Sequence, residues 1–157
     1  MKLLGRRATG GMTFVELMAT VTIMIILASV ILPVSRNLHK RQREIELRRA
    51  LREIRTAIDE YKMNEAIISP LDKKLGNEGY PEDLDTLVEG VRQIGKIDVK
   101  LKFLRRIPKD PMTGSDDWGK RCYQDPPDST SWCDDNVYDV YTKSDGTALD
   151  GSEYKDW

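Results

Sequence analysis

The sequence of 157 residues is poor in the groups that usually carry catalysis: it has one histidine and two cysteines, and only 7% of its residues are aromatic. His39 has no cysteine near it, which leaves no His-based general base and no zinc-type ligand set, and it reads as a surface residue. There is no CxxC pair, no Gly-rich phosphate loop, no nucleophile elbow and no HExxH pattern, so no enzyme activity is expected. Charge of one sign is also missing. Lys and Arg number 25 against 26 Asp and Glu, a balance that excludes a generally basic nucleic-acid binder, and no nucleic-acid partner is expected. With 39% hydrophobic residues, the chain suits one modest domain plus an attachment, and neither a polytopic membrane protein nor a wholly disordered chain.

What is present is unevenly distributed. Residues 17–35 contain no charged side chain, about the number needed to cross a ~30 Å hydrocarbon core once. Residues 36–106 hold 17 basic and 13 acidic side chains, whereas residues 110–157 hold 4 basic and 12 acidic ones. Cys122 and Cys133 lie in that acidic, turn-rich region, where a disulfide formed in an oxidising compartment fits better than a metal pair, two free thiols being the alternative. Closing the intervening loop stabilises it by about 2–4 kcal/mol.

The N-terminal residues Lys2, Arg6 and Arg7 precede Gly10-Gly11 and then Met12-Thr13-Phe14-Val15-Glu16. No convincing small-x-small cleavage site follows the apolar run, so the helix is expected to stay attached. Glu16 is the odd residue. A lone carboxylate at that depth is costly unless it is neutralised or given a cationic partner. Cleavage before Met12 would create one, a new α-amino group.

Gly11-Met12-Thr13-Phe14-Val15-Glu16 resembles the prepilin processing site of type IV pilins and type II secretion pseudopilins. In that family a prepilin peptidase cuts after the glycine and N-methylates the new first residue, here Met12, where phenylalanine is commoner. Glu16 then falls at the fifth position of the processed chain and Pro33 at the family's recurrent helix proline. The physical sense is that the α-amino group of one subunit pairs with Glu16 of its neighbour in low dielectric and sets helix register. An ordinary single-pass anchor is the plainer reading of Glu16, and a kink or helix end that of Pro33.

Beyond residue 35, Leu47, Leu51, Ile54, Ile58 and Tyr61 recur at the spacing of one helix face, which predicts an amphipathic stalk over 36–66. Its other faces are charged, with Glu44/Arg48 and Arg49/Glu53 spaced for i,i+4 pairs on solvated surface. The basic stretch 36–43 suits lipid headgroups or acidic neighbouring subunits. From 67 to 157 a globular head is expected: a short helix beginning at Pro81, strands near 99–104 and 137–142, and a small antiparallel sheet packed on the stalk. The fold class expected is α+β, a long membrane-spanning and amphipathic helix on a small β head, preceded by a leader over 1–11 and an assembly helix over 12–35. Trp118, Tyr123 and Trp132 are expected under the cysteine loop rather than on a contact surface.

The head continues the resemblance, above all to the major pseudopilins. Pro108-Lys109-Asp110-Pro111 matches a recurrent Pro-x-Asp-Pro segment, and Tyr138-Asp139-Val140-Tyr141 with Ser144-Asp145-Gly146 matches the last strand and acidic loop. The tail over 147–157 departs from the family's Gly-rich loop. The resemblance implies calcium at Asp145 and Asp150, with oxygen ligands as a hard cation requires, whereas the residues alone equally read Asp145-Gly146 as a turn.

The resemblance further implies a pseudopilus subunit that self-associates into a helical filament with other pseudopilins, an inner-membrane platform protein and an assembly ATPase. It places the chain in the bacterial inner membrane with a periplasmic head. Two alternatives are a subunit of a surface type IV pilus for adhesion, motility or DNA uptake, and a membrane-tethered binding domain that never polymerises.

Overall fold

Thr13 opens the longest element: its Oγ1 accepts the backbone N–H of Glu16 at 3.2 Å and its carbonyl accepts Leu17 N–H at 3.0 Å, the N-cap half of a Thr-x-x-Glu capping box. In the computed structural model, which describes residues 11–74, 76–96 and 99–157 and leaves out the side chains of 30–36, helix α1 then runs Phe14–Met63. Pro33 lies within α1, so it does not end the helix; lacking an N–H, it removes one backbone hydrogen bond there.

The chain divides into two compact units, residues 1–39 and 40–157. In the first, the leader residues 1–10 lie outside those described. The helical residues from 14 to 29 are exposed on every face, Phe14, Val15, Met24, Ile25 and Leu27 among them. Among the described residues, no helix is long and apolar enough to cross a membrane, and residues 30–35 of the span read from the sequence fall among the side chains left undescribed. The membrane-spanning element of the expected fold is therefore not found in the described structure.

The second unit is α+β. Its core is built on the predicted face of α1: Leu47, Ile54 and Ile58 are completely buried, Leu51 and Tyr61 nearly so. Against this stripe pack Ile68, Leu87, Trp118, Val137 and Val140. Helix α2, Leu84–Glu89, starts three residues after Pro81 because the Asp83 carboxylate caps it, accepting Leu84 N–H at 2.6 Å. Pro81 instead offers its carbonyl to Val137 N–H at 2.8 Å.

In place of one sheet there are two small antiparallel ones. Strand β1 (Val91–Arg92) pairs with β2 (Lys100–Leu101), and β3 (Gly119–Arg121) pairs with β4 (Asp139–Tyr141) in the register Gly119↔Tyr141, Arg121↔Asp139. Gly119 is required where it stands, since a Cβ would run into the Tyr141 ring. The strands expected at 99–104 and 137–142 shrink to two and three residues. Phe103 and Leu104 turn off the ladder to donate both backbone N–H groups to the Leu87 carbonyl, at 3.0 and 2.9 Å.

Candidate processing and assembly site

Gly11, Met12 and Thr13 precede α1 as exposed, non-helical backbone, and among the described residues nothing lies within 4 Å of where a Gly11 side chain would begin. Among the described residues, an alanine side chain at position 11 meets no neighbouring atom. One turn further on, Glu16 is exposed in the first turn of α1, where the helix dipole favours a carboxylate. Among the described residues no cation pairs with it. Its neighbourhood is apolar, and the three polar side chains between residues 17 and 29 satisfy themselves on the helix: Thr20 Oγ1 donates to Leu17 O at 2.9 Å, Thr22 Oγ1 to Met18 O at 2.8 Å and Ser29 Oγ to Ile26 O at 2.7 Å. Glu16 is thus the one charged group on the segment 14–29.

In the head, Cys122 and Cys133 are joined in a disulfide. Buried Asn136 holds the loop it closes, accepting Tyr123 N–H at 3.0 Å on its side chain and Trp132 Nε1–H at 2.8 Å on its carbonyl. Of the three aromatics expected under the loop, Trp118 is core and Trp132 half-buried, but Tyr123 stands out in solvent at 55% exposure.

Asp145 and Asp150 are both exposed. The Asp150 carboxylate accepts Ser152 N–H at 2.9 Å and Ser152 Oγ–H at 2.6 Å, and lies 3.5 Å from Arg48; these contacts hold it below the usual carboxylate range, Ser152 contributing most. Among the described residues, Cys122, Asp125 and Cys133 are the one cluster with metal-ligand spacing. Both sulfurs there are committed to the disulfide, and the Asp125 carboxylate accepts Cys122 N–H at 2.8 Å.

Sequence reasoning missed the groups that hold the head together. Glu44 is buried rather than paired with Arg48, accepting Leu149 N–H at 2.8 Å and the Tyr154 hydroxyl at 2.9 Å. Asp110, wholly buried, accepts Met112 N–H at 2.7 Å and the Thr142 hydroxyl, which makes the Pro-x-Asp-Pro segment a structural clasp. Arg55 on α1 donates Nε–H to Asp139 at 2.6 Å and reaches the Trp157 carbonyl at 2.7 Å. Arg121, nearly buried, donates to the Ser129 carbonyl at 2.8 Å, lies 3.5 Å from Asp139 and stacks 4.2 Å from the Tyr141 ring.

Burial, then the hydrogen bond to Glu44, pushes the Tyr154 hydroxyl up to about 12 from its ordinary value near 10. Because the folded pKa is raised, the neutral phenol's contribution to stability is complete below pH 10 and is lost as pH climbs through about 12. Tyr61 and Tyr80 are also raised, by burial, so the wild-type slope has several sources. Tyr154→Phe is expected to remove one proton's worth of the alkaline slope, on the order of 2 kcal/mol across that window. Denaturant titrations of both proteins across the window check this; identical slopes would remove the Glu44–Tyr154 bond from the account.

No family model, curated protein or solved structure matches this chain.

Proposed function

We propose that the chain is a structural subunit of a pilin-like filament, most like a type II secretion pseudopilus, that is cut after Gly11 and polymerises through its N-terminal helix. One observation carries this reading: a helix apolar on every described face from 14 to 29, with internally satisfied hydroxyls and one charge, begins immediately after an exposed Gly11–Met12 bond. Such a surface belongs in lipid or against other helices, since water tolerates it poorly. In the sequence, the uncharged stretch over 17–35 is about the length of a single span, which supports this reading although no described helix meets that measure.

The chemistry then follows in order. The peptidase, which acts at the cytoplasmic face in the family the motif resembles, cuts between Gly11 and Met12. The new α-amino group at Met12 lies four residues from Glu16 of its own chain and within reach of a neighbour's Glu16 when helices pack side by side. Each subunit offers one cation and one anion at the same end, and pairing between copies is head-to-tail in chemistry, so growth is open-ended. The heads form the outside, tied to their helices by Glu44 and Arg55.

Full-length chain produced with a prepilin peptidase and an assembly platform is expected to give fibres by negative-stain electron microscopy. Discrete monomeric particles under those conditions would favour a tethered binding domain.

A further inference from the structure

The head exposes two surfaces of different make-up, one rich in arginine and one in tyrosine. One is a groove of about 490 Å³ beside α1, with Ala57, Phe103 and Leu104 at its base and Arg49, Arg52 and Arg105 around it. Glu53, Glu60 and Thr56 complete the lining. The three arginines are exposed, and among the described residues none has an ion-pair partner. Next to it, Arg106 and Lys109 line a second groove.

The other surface is a knob of three tyrosines. Tyr80, Tyr123 and Tyr138 pack ring on ring with centroids 5.2–5.7 Å apart, yet Tyr123 and Tyr138 remain about half exposed. The knob is rigid, because Tyr123 adjoins disulfide-bonded Cys122 and its backbone N–H is held by Asn136. The same disulfide brings Cys133, and with it exposed Asp134, to the side of the knob. Asp128 is exposed in the closed loop; among the described residues neither its carboxylate nor that of Asp134 is in an ion pair, and Lys74 Nζ donates to the Asp134 carbonyl at 3.4 Å.

From this complementarity we infer that the tyrosine knob, with Asp134 beside it, seats in the arginine-rimmed groove of a second copy of this chain. Rigid tyrosines bury area at little entropic cost. Guanidinium groups both stack on phenol rings and take carboxylates in bidentate geometry. The two surfaces differ, so the contact is heterologous and propagates from copy to copy. The inference rests on the filament reading and adds to the helix contacts a second contact, between heads.

The test places a photo-crosslinker in the full-length, processed chain as Tyr123→p-benzoylphenylalanine. Crosslinks are expected on residues 49–57 or 103–105 of another copy. In the same chain, Arg49→Glu with Arg52→Glu should lower the yield about tenfold, and adding Asp134→Arg should restore part of it. The crosslinker at Arg105 provides the reciprocal measurement, with products expected in 122–138, and does not depend on the charge-reversed variants folding. Filaments whose crosslinks fall elsewhere on the protein, or on lipid, would overturn this contact and leave the filament reading standing. Processed chains that form neither filaments nor crosslinks would overturn both.

Discussion

Glu16→Ala is expected to insert and to be cut normally, yet to leave no filaments. Processing should survive because the Gly11–Met12 bond is untouched and the cap from Thr13 Oγ1 goes to the backbone N–H of residue 16, which alanine keeps. Assembly should fail because the α-amino group at Met12 would be packed among apolar helices without its counter-charge. Leaving one member of a desolvated pair unmatched is strongly unfavourable, enough to weaken subunit association about a hundredfold or more. Glu16→Gln, which keeps the shape and loses the charge, should fail nearly as badly. Counting fibres by electron microscopy and sedimenting the processed chains measures both variants. Filaments of normal number and length from Glu16→Ala would show that the carboxylate has no pairing role in assembly.

Arg121→Ala is expected to cause the largest loss of head stability. The guanidinium is nearly buried and joins β3, the cysteine loop through Ser129, the C-terminal segment through Lys155 and β4 through Asp139. Its removal leaves two carbonyls without that donor and Asp139 with Arg55 alone. Breaking a buried pair of this kind costs about 3–5 kcal/mol, which for a domain of this size lowers the melting temperature by about 10–25 °C. All three tryptophans lie between 118 and 157, so their fluorescence reports the head while α1 stays silent. Asp139→Asn keeps hydrogen-bonding capacity and should lose roughly half as much. A loss below about 1 kcal/mol for Arg121→Ala would class the network with ordinary surface pairs.

What could be read from the sequence was what local periodicity encodes. The Leu47, Leu51, Ile54, Ile58 and Tyr61 stripe is the core face of α1 because side chains three and four apart share one side of a helix whatever packs there. The alternation around Val140 likewise found β4. Strand β3 was missed because Gly119-Lys120-Arg121 has no apolar alternation: glycine is there to clear a ring, and Arg121 is buried through its stacking on Tyr141 and its hydrogen bonds. Glu44 was misassigned for a related reason. Its i,i+4 neighbour Arg48 is visible in the sequence, whereas its real partner, Tyr154, lies 110 residues away. Asp110 read as part of a recurrent segment, but only the fold brings Thr142 to its carboxylate. Tyr123 shows the limit of composition: an aromatic beside a cysteine suggests core, and here the disulfide presents it to solvent.

The central claim is that this chain is processed at Gly11 and so acquires the charge that Glu16 answers. The direct measurement is the intact mass and N-terminal sequence of full-length protein recovered from membranes with a prepilin peptidase present, beside a Gly11→Ala control. Because no atom of the described residues lies near the Gly11 side-chain position, that control is expected to change recognition without changing the fold of the described chain. A chain that begins at Met12, and does so only when Gly11 is intact, is the predicted result. A chain that still begins at Met1 would contradict the account and leave a single-pass anchored head with no means of growing into a filament.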